Sequence, residues 1–146
     1  MIVRTAVCAA LAVALSASAV IAQSKAIAER KEIMKGVGAA AKEGAAMARG
    51  SAPYDNAKAV QVFVVYANAA EKMPGLFPDD SKTGGETTAA PKIWEDMAGF
   101  KAAMAKWGSD AKAAQTSVKD IDTFKTAFGE AGKQCGACHE VYRIKK

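Results

Sequence analysis

Cys135, Cys138 and His139 stand in the order Cys-Gly-Ala-Cys-His near the end of a 146-residue chain. On a helix, thiols at i and i+3 can each add to one vinyl group of the same porphyrin, and the next residue turns its imidazole toward the iron. That is the attachment pattern of a c-type haem, with Cys135 and Cys138 as covalent anchors and His139 as an axial ligand. Other uses of the two cysteines fit less well. A structural zinc ion needs four ligands, yet His139 is the sole histidine and Cys8 the one other cysteine. A thioredoxin-like redox pair asks for a preceding strand and a βαβ setting, and the pattern offers neither. One covalent haem c is therefore expected, with His139 binding as neutral imidazole and its second ring nitrogen held by water or a carbonyl. With no other histidine, oxygen chemistry lacks a distal helper. Neither a nucleophile with its base nor a second metal cluster can be assembled, which points away from an enzyme.

The elements that carry these residues read as helices. Apolar side chains recur at helical spacing in four stretches, separated by the Pro and Gly clusters of the chain. The first stretch runs from Ser24 to Arg49, with Ile27, Met34, Val37, Ala41 and Ala48 near one face, and stops at Gly50-Ser51-Ala52-Pro53. The second opens at an N-cap, Asp55, carries Val60, Phe63, Val64, Ala67 and Ala70, and ends at Pro74-Gly75. A long loop, Leu76 to Ala90, follows; loops of that length in a compact domain are functional or flexible. The third helix takes Pro91 as its first residue and continues through Ile93, Met97, Phe100, Met104, Trp107 and Ala111. The fourth begins near Asp120, and its stripe of Ile121, Phe124, Phe128 and Ala131 runs into Cys135, His139 and Tyr142. No segment alternates with period two for long enough to make a sheet. The class is all-α, and the simplest packing is an antiparallel four-helix bundle with the covalent haem between the helices.

Residues 1–22 read as a signal peptide. Arg4 supplies the positive start, Ala6 to Val20 an apolar run, and Val20-Ile21-Ala22 a small-residue cleavage site before Gln23. Export to the periplasm agrees with covalent haem, which is attached outside the cytoplasm. Residues 23–146 then form a single domain, with no stable membrane insertion once the signal is cleaved. Cys8 leaves with the signal, so both remaining cysteines serve the haem and no disulfide is expected. Losing Arg4 leaves 19 basic against 15 acidic residues, a formal charge of +4. The lysines are scattered along helices, so nucleic acid is not an expected partner.

Beyond the haem motif, several segments resemble the class II c-type cytochromes, meaning cytochrome c′ and its low-spin relatives. They are Ile27-Ala28-Glu29-Arg30-Lys31 with Met34, Pro53-Tyr54-Asp55, Leu76-Phe77-Pro78, Ser81 to Gly85, Ala90 to Trp94, Phe100, and Cys135 to Arg143. The resemblance spans nearly all of residues 23–146; its members are a standard example of the four-helix bundle. It implies His139 as the proximal ligand and Met34 on the opposite, distal side. High-spin members carry Leu, Phe or a non-coordinating Met at that position, whereas low-spin members use a Met thioether as sixth ligand. Both outcomes stay open here, although a thioether beside a ferrous iron with a free site has a favourable bond available. Met47, Met73, Met97 and Met104 read as core.

Arg30, one turn before Met34, can pair with a haem propionate, or equally be a solvated helix charge. Arg143, four residues after His139, shares its face and stands beside the haem in the resembling proteins. Phe77, Trp94, Phe100 and Tyr142 are candidates for the pocket wall. The leading expectation is one-electron transfer through a His/Met-ligated iron, with a periplasmic redox partner of unknown identity. The alternative is a five-coordinate cytochrome c′ that binds nitric oxide or carbon monoxide. Family members often pair as homodimers through their first two helices, and the small residues of Gly36 to Ala48 would allow it.

Overall fold

The computed structural model describes residues 2–83 and 85–144, with side chains from residue 25 onward. Helix α1 spans Ile2–Ala48, α2 Asn56–Lys72, α3 Lys92–Glu95, α4 Met97–Ser117 and α5 Ile121–Tyr142. The four long helices form the expected antiparallel bundle. Because α1 starts at Ile2, it includes the backbone of the signal segment; the side chains of residues 1–24, and with them the proposed cleavage site, lie outside the described residues. Among the described residues no helix is long and apolar enough to cross a membrane.

The helix ends follow from local chemistry. Gly50, with φ +72°, ends α1, and the Gly50 and Ser51 amides turn back to Met47 O and Ala46 O at 3.0 Å each. Asp55 caps α2 by accepting from the Lys58 amide at 3.0 Å. At the start of α5, Asp120 accepts from Thr123 N at 2.8 Å while Thr123 Oγ1 accepts from Asp120 N at 3.1 Å, a reciprocal capping box.

Three features depart from the sequence expectation. The third helix is two, because Asp96 takes a non-helical conformation (φ −132°, ψ 56°) and its carboxylate accepts from Gly99 N at 3.0 Å, opening α4 anew. The loop after α2 holds two short 3-10 turns, Met73–Leu76 and Asp79–Lys82. The buried face of α2 is also rotated: Ala59, Val62 and Tyr66 are buried with Phe63, Ala67 and Ala70, while Val60 and Val64 are half-buried. Small residues explain the rotation. A Cβ on Gly108 of α4 would stand 3.0 Å from the Ala70 Cβ, so α2 and α4 approach through alanine and glycine rather than through valine.

Aromatic rings fill the centre. Phe124 of α5 is fully buried and lies 6.0 Å from the rings of Phe63 and Tyr54 and 5.3 Å from Phe128. Replacing a buried aromatic leaves both lost transfer energy and a cavity, so Phe124→Ala is expected to cost about 3–5 kcal/mol in urea unfolding; a loss under about 1 kcal/mol would show that this ring is not central to the core.

Candidate haem site

A cavity of about 280 Å³ opens between α1, α4 and α5. From α5 it is lined by Gln134, Cys135, Ala137, Cys138, His139 and Tyr142, from α1 by Met34 and Val37, and from α4 by Ala103, Met104, Lys106 and Trp107. The three chemical groups of the C-x-x-C-H turn therefore face one space, and Met34 faces it from another helix. This follows from helical spacing: positions 135, 138, 139 and 142 lie on one stripe, one to three turns past the buried Ala131.

The site is apolar, and its electrostatics follow. Burial pushes both thiols up from their ordinary range, and the neighbouring Cys135 adds to the shift at Cys138. Burial, with a smaller contribution from the charge of Arg143, pulls His139 down, favouring the neutral imidazole that binds metals. At the rim, Asp110 Oδ2 accepts from Lys106 Nζ at 2.7 Å and from Gln134 Nε2 at 2.6 Å. Trp107 Nε1 is the one buried polar side-chain atom without a partner among the described residues, and its ring lies 5.2 Å from that of Tyr66. Among the described residues no group of three His, Cys, Asp or Glu gathers to hold a bare metal ion. Two thiols, one neutral imidazole and an apolar wall with thioethers fit a porphyrin; they do not fit zinc.

Arg30 is 6% exposed and does not line the cavity. Its guanidinium donates to Leu76 O at 3.2 Å, Ser81 Oγ at 3.1 Å and Ser81 O at 3.1 Å, and lies 4.5 Å from the centre of the Phe77 ring. The solvated-charge alternative is thus wrong for Arg30, which anchors the loop. Arg143 stands just beyond the helix, with its charge still reaching His139. Helix α5 ends at Tyr142, and Arg143 is extended (φ −124°, ψ 136°) and bridged to Ala89. It leaves the helix face because Ala90 N donates to Tyr142 O and Ile144 N to Thr88 O, at 3.0 and 2.8 Å, drawing the chain into a short ladder.

Of the four aromatic candidates, only Tyr142 lines the cavity. Phe77, Trp94 and Phe100 form a cluster around Arg30, with Phe77 at 5.6 Å from Trp94 and 4.8 Å from Phe100. Sequence reasoning missed Val37, Ala103, Met104, Lys106, Trp107 and Gln134 as wall residues. Met104 and Trp107 share the stripe of Phe100, so their spacing carried the signal; Lys106 and Gln134 gave none.

An antiparallel bundle whose last helix turns a C-x-x-C-H motif into an interior cavity defines the class of bundle haem proteins. The chain belongs to the cytochrome c′ family, whose profile matches residues 25–143. It is 43% identical over 134 residues to cytochrome c′ of Rhodopseudomonas palustris, covering 92% of each chain. It is 34% identical over 139 residues to cytochrome c-556 of the same organism, covering 92% of this chain and 93% of the relative. A solved structure of cytochrome c′ from Rhodopseudomonas palustris superposes with a TM-score of 0.80 at 45% identity, over 83% of this chain and 97% of that one. Family membership makes this chain a c-type haem protein, of a kind that carries electrons or binds gases.

Because Arg30 joins α1 to the loop, Arg30→Met is expected to leave the Leu76 and Ser81 acceptors unpaired at a cost of about 3 kcal/mol and to speed proteolytic cleavage within residues 76–83 severalfold. Unchanged cleavage would mean that the loop is held by other contacts.

Proposed function

We propose that this chain is a periplasmic one-electron carrier, with one haem c attached through Cys135 and Cys138 and its iron bound by His139 and Met34. The observation that carries the reading is that Met34 of α1 lines the same cavity as the C-x-x-C-H turn of α5. Bound there, haem would supply an iron that alternates between ferric and ferrous. His139 offers a neutral imidazole and Met34 a soft thioether, a donor that favours the reduced metal. Both are carried on helices of the bundle, so the ligand positions change little between oxidation states and little reorganisation opposes transfer. Val37, Ala103, Met104 and Trp107 exclude water from the wall, and Arg143, near His139, adds positive charge on the proximal side. In this proposal Arg30 pairs with a haem propionate only through donors left over from its loop contacts.

Residues 1–22 act as the signal peptide in this reading, and residues 23–146 as the exported domain. A homodimer through α1 and α2 belongs to it as well: Gly36 and Gly38 are exposed, with nothing within 4 Å of where a Cβ would stand, which leaves room for close helix approach. The second reading is a five-coordinate gas-binding protein, with nitric oxide or carbon monoxide on an iron that Met34 does not ligate. It is favoured by the 43% identity to a cytochrome c′, against 34% to a cytochrome c-556.

Two measurements test these readings. The denatured protein is expected to keep the mass of one haem, and Cys135→Ala combined with Cys138→Ala to lose it; haem retained by the double variant would contradict attachment through this pair. Optical spectra of the ferric and ferrous protein are expected to be low-spin, with Met34→Ala turning high-spin and gaining carbon monoxide binding. A wild type that is already high-spin and binds carbon monoxide, little altered by the substitution, favours the gas-binding reading.

A further inference from the structure

His139 sits in the last turn of α5 and lines the cavity, so the backbone of that turn sets where its imidazole starts from. That turn is gripped through Tyr142, which is three residues on, shares the stripe of the haem motif and lines the cavity. Tyr142 is held at three points. Its carbonyl accepts from Ala90 N at 3.0 Å, its ring meets Phe100 edge-on at 5.4 Å, and its hydroxyl donates to Asp96 Oδ2 at 3.1 Å.

Asp96 is itself pinned. While Oδ2 takes the Tyr142 proton, Oδ1 accepts from Gly99 N at 3.0 Å and caps α4. A side chain at residue 99 would run into the Asp96 carboxylate, so glycine is what leaves the carboxylate its place. Both Asp96 and Tyr142 are half-buried, where a hydrogen bond to a carboxylate is stronger than in water. The break between α3 and α4, which helical periodicity did not announce, therefore puts a fixed acceptor beside the last turn of the haem helix.

We infer that Asp96 is a positioning residue for the iron ligand: acting through the Tyr142 hydroxyl, it sets the orientation of the His139 imidazole over the haem. The inference rests on the haem reading above and adds a residue to it that touches neither iron nor porphyrin. The geometry separates this role from simple stabilisation. Removing the hydroxyl alone leaves the Tyr142 ring against Phe100, the Ala90 bond and the α4 cap in place, and frees only the bond between the two helices.

The test uses the haem-loaded protein and its Tyr142→Phe, Asp96→Ala and Asp96→Asn variants, with the Tyr142→Phe/Asp96→Ala double variant. The haem-methyl proton resonances of the ferric form, whose order and spread report the plane of the axial imidazole, are read together with the midpoint potential. Tyr142→Phe and Asp96→Ala are expected to move both readouts in the same direction, and the double variant to move them no further. Asp96→Asn keeps the α4 cap through its one carbonyl oxygen and can hold the Tyr142 hydroxyl only by donating to it from Nδ2; with the link between the helices kept in reversed direction, the wild-type methyl pattern is expected to be retained. Wild-type methyl resonances and potential in Tyr142→Phe would overturn the inference, as would single-variant effects that add in the double variant. A wild-type protein carrying no covalent haem by mass would instead fail the haem reading itself, before any resonance is recorded.

Discussion

One turn of α5 has to point three reactive side chains into the same space, and the rest of the bundle is arranged around that demand. An ordinary bundle helix would bury large aliphatic residues along this stripe. Here the buried residues of α5 are only Phe124 and Ala131, whereas α2 buries seven side chains. The stripe beyond Ala131 turns to the cavity at Cys135, Cys138, His139 and Tyr142. The protein core is therefore uneven. Its tight part lies between α2 and α4, where Ala70 and Gly108 bring the helices together, and around Phe63 and Phe124. The candidate haem site stands where α1, α4 and α5 meet.

The two ends of that site are controlled differently. Toward the loop, a buried cation organises the chain. Taking a guanidinium out of water is costly unless its donors are used, and Arg30 uses them on Leu76 and Ser81 while Phe77 and Trp94 cover its charge. Trp94 Nε1 in turn donates to Phe77 O at 3.1 Å, so the same aromatic cluster ties the loop to α3. The loop thus becomes a built part of the molecule that closes one end of the bundle. At the other end the surface is polar, and the Lys106, Asp110 and Gln134 group spans from α4 to α5 across the rim. Charge pairs elsewhere are exposed and contribute little to the fold.

Much of this could be read in advance because its causes are local. The C-x-x-C-H spacing matches the porphyrin's own dimensions, so Cys135, Cys138 and His139 could be proposed as the haem-holding residues without any fold. The caps at Asp55 and Asp120 and the stop at Gly50 depend on hydrogen bonds to residues no more than six positions away. The apolar stripes of α4 and α5 matched their buried faces for the same reason. In α2 the run from Val60 to Val65 is apolar on too many sides for periodicity to select a face, and the choice fell to a close approach of small residues from another helix.

What the sequence alone determined about this protein is its class and the order of its chemical groups: a helix carrying a C-x-x-C-H turn, three further amphipathic helices, and Met34 one turn past Arg30. What only the tertiary structure decided is which distant groups meet. Arg30 is 51 residues from Ser81 in the chain and Asp96 is 46 from Tyr142. No spacing rule connects such pairs, because their contact is set by how helices pack and where loops return. The same holds for Arg143, whose departure from the helix is caused by Thr88 and Ala90 competing for its neighbours' backbone. Local hydrogen bonds and side-chain period are written along the chain; the partners of a buried charge or a helix end are written only in three dimensions.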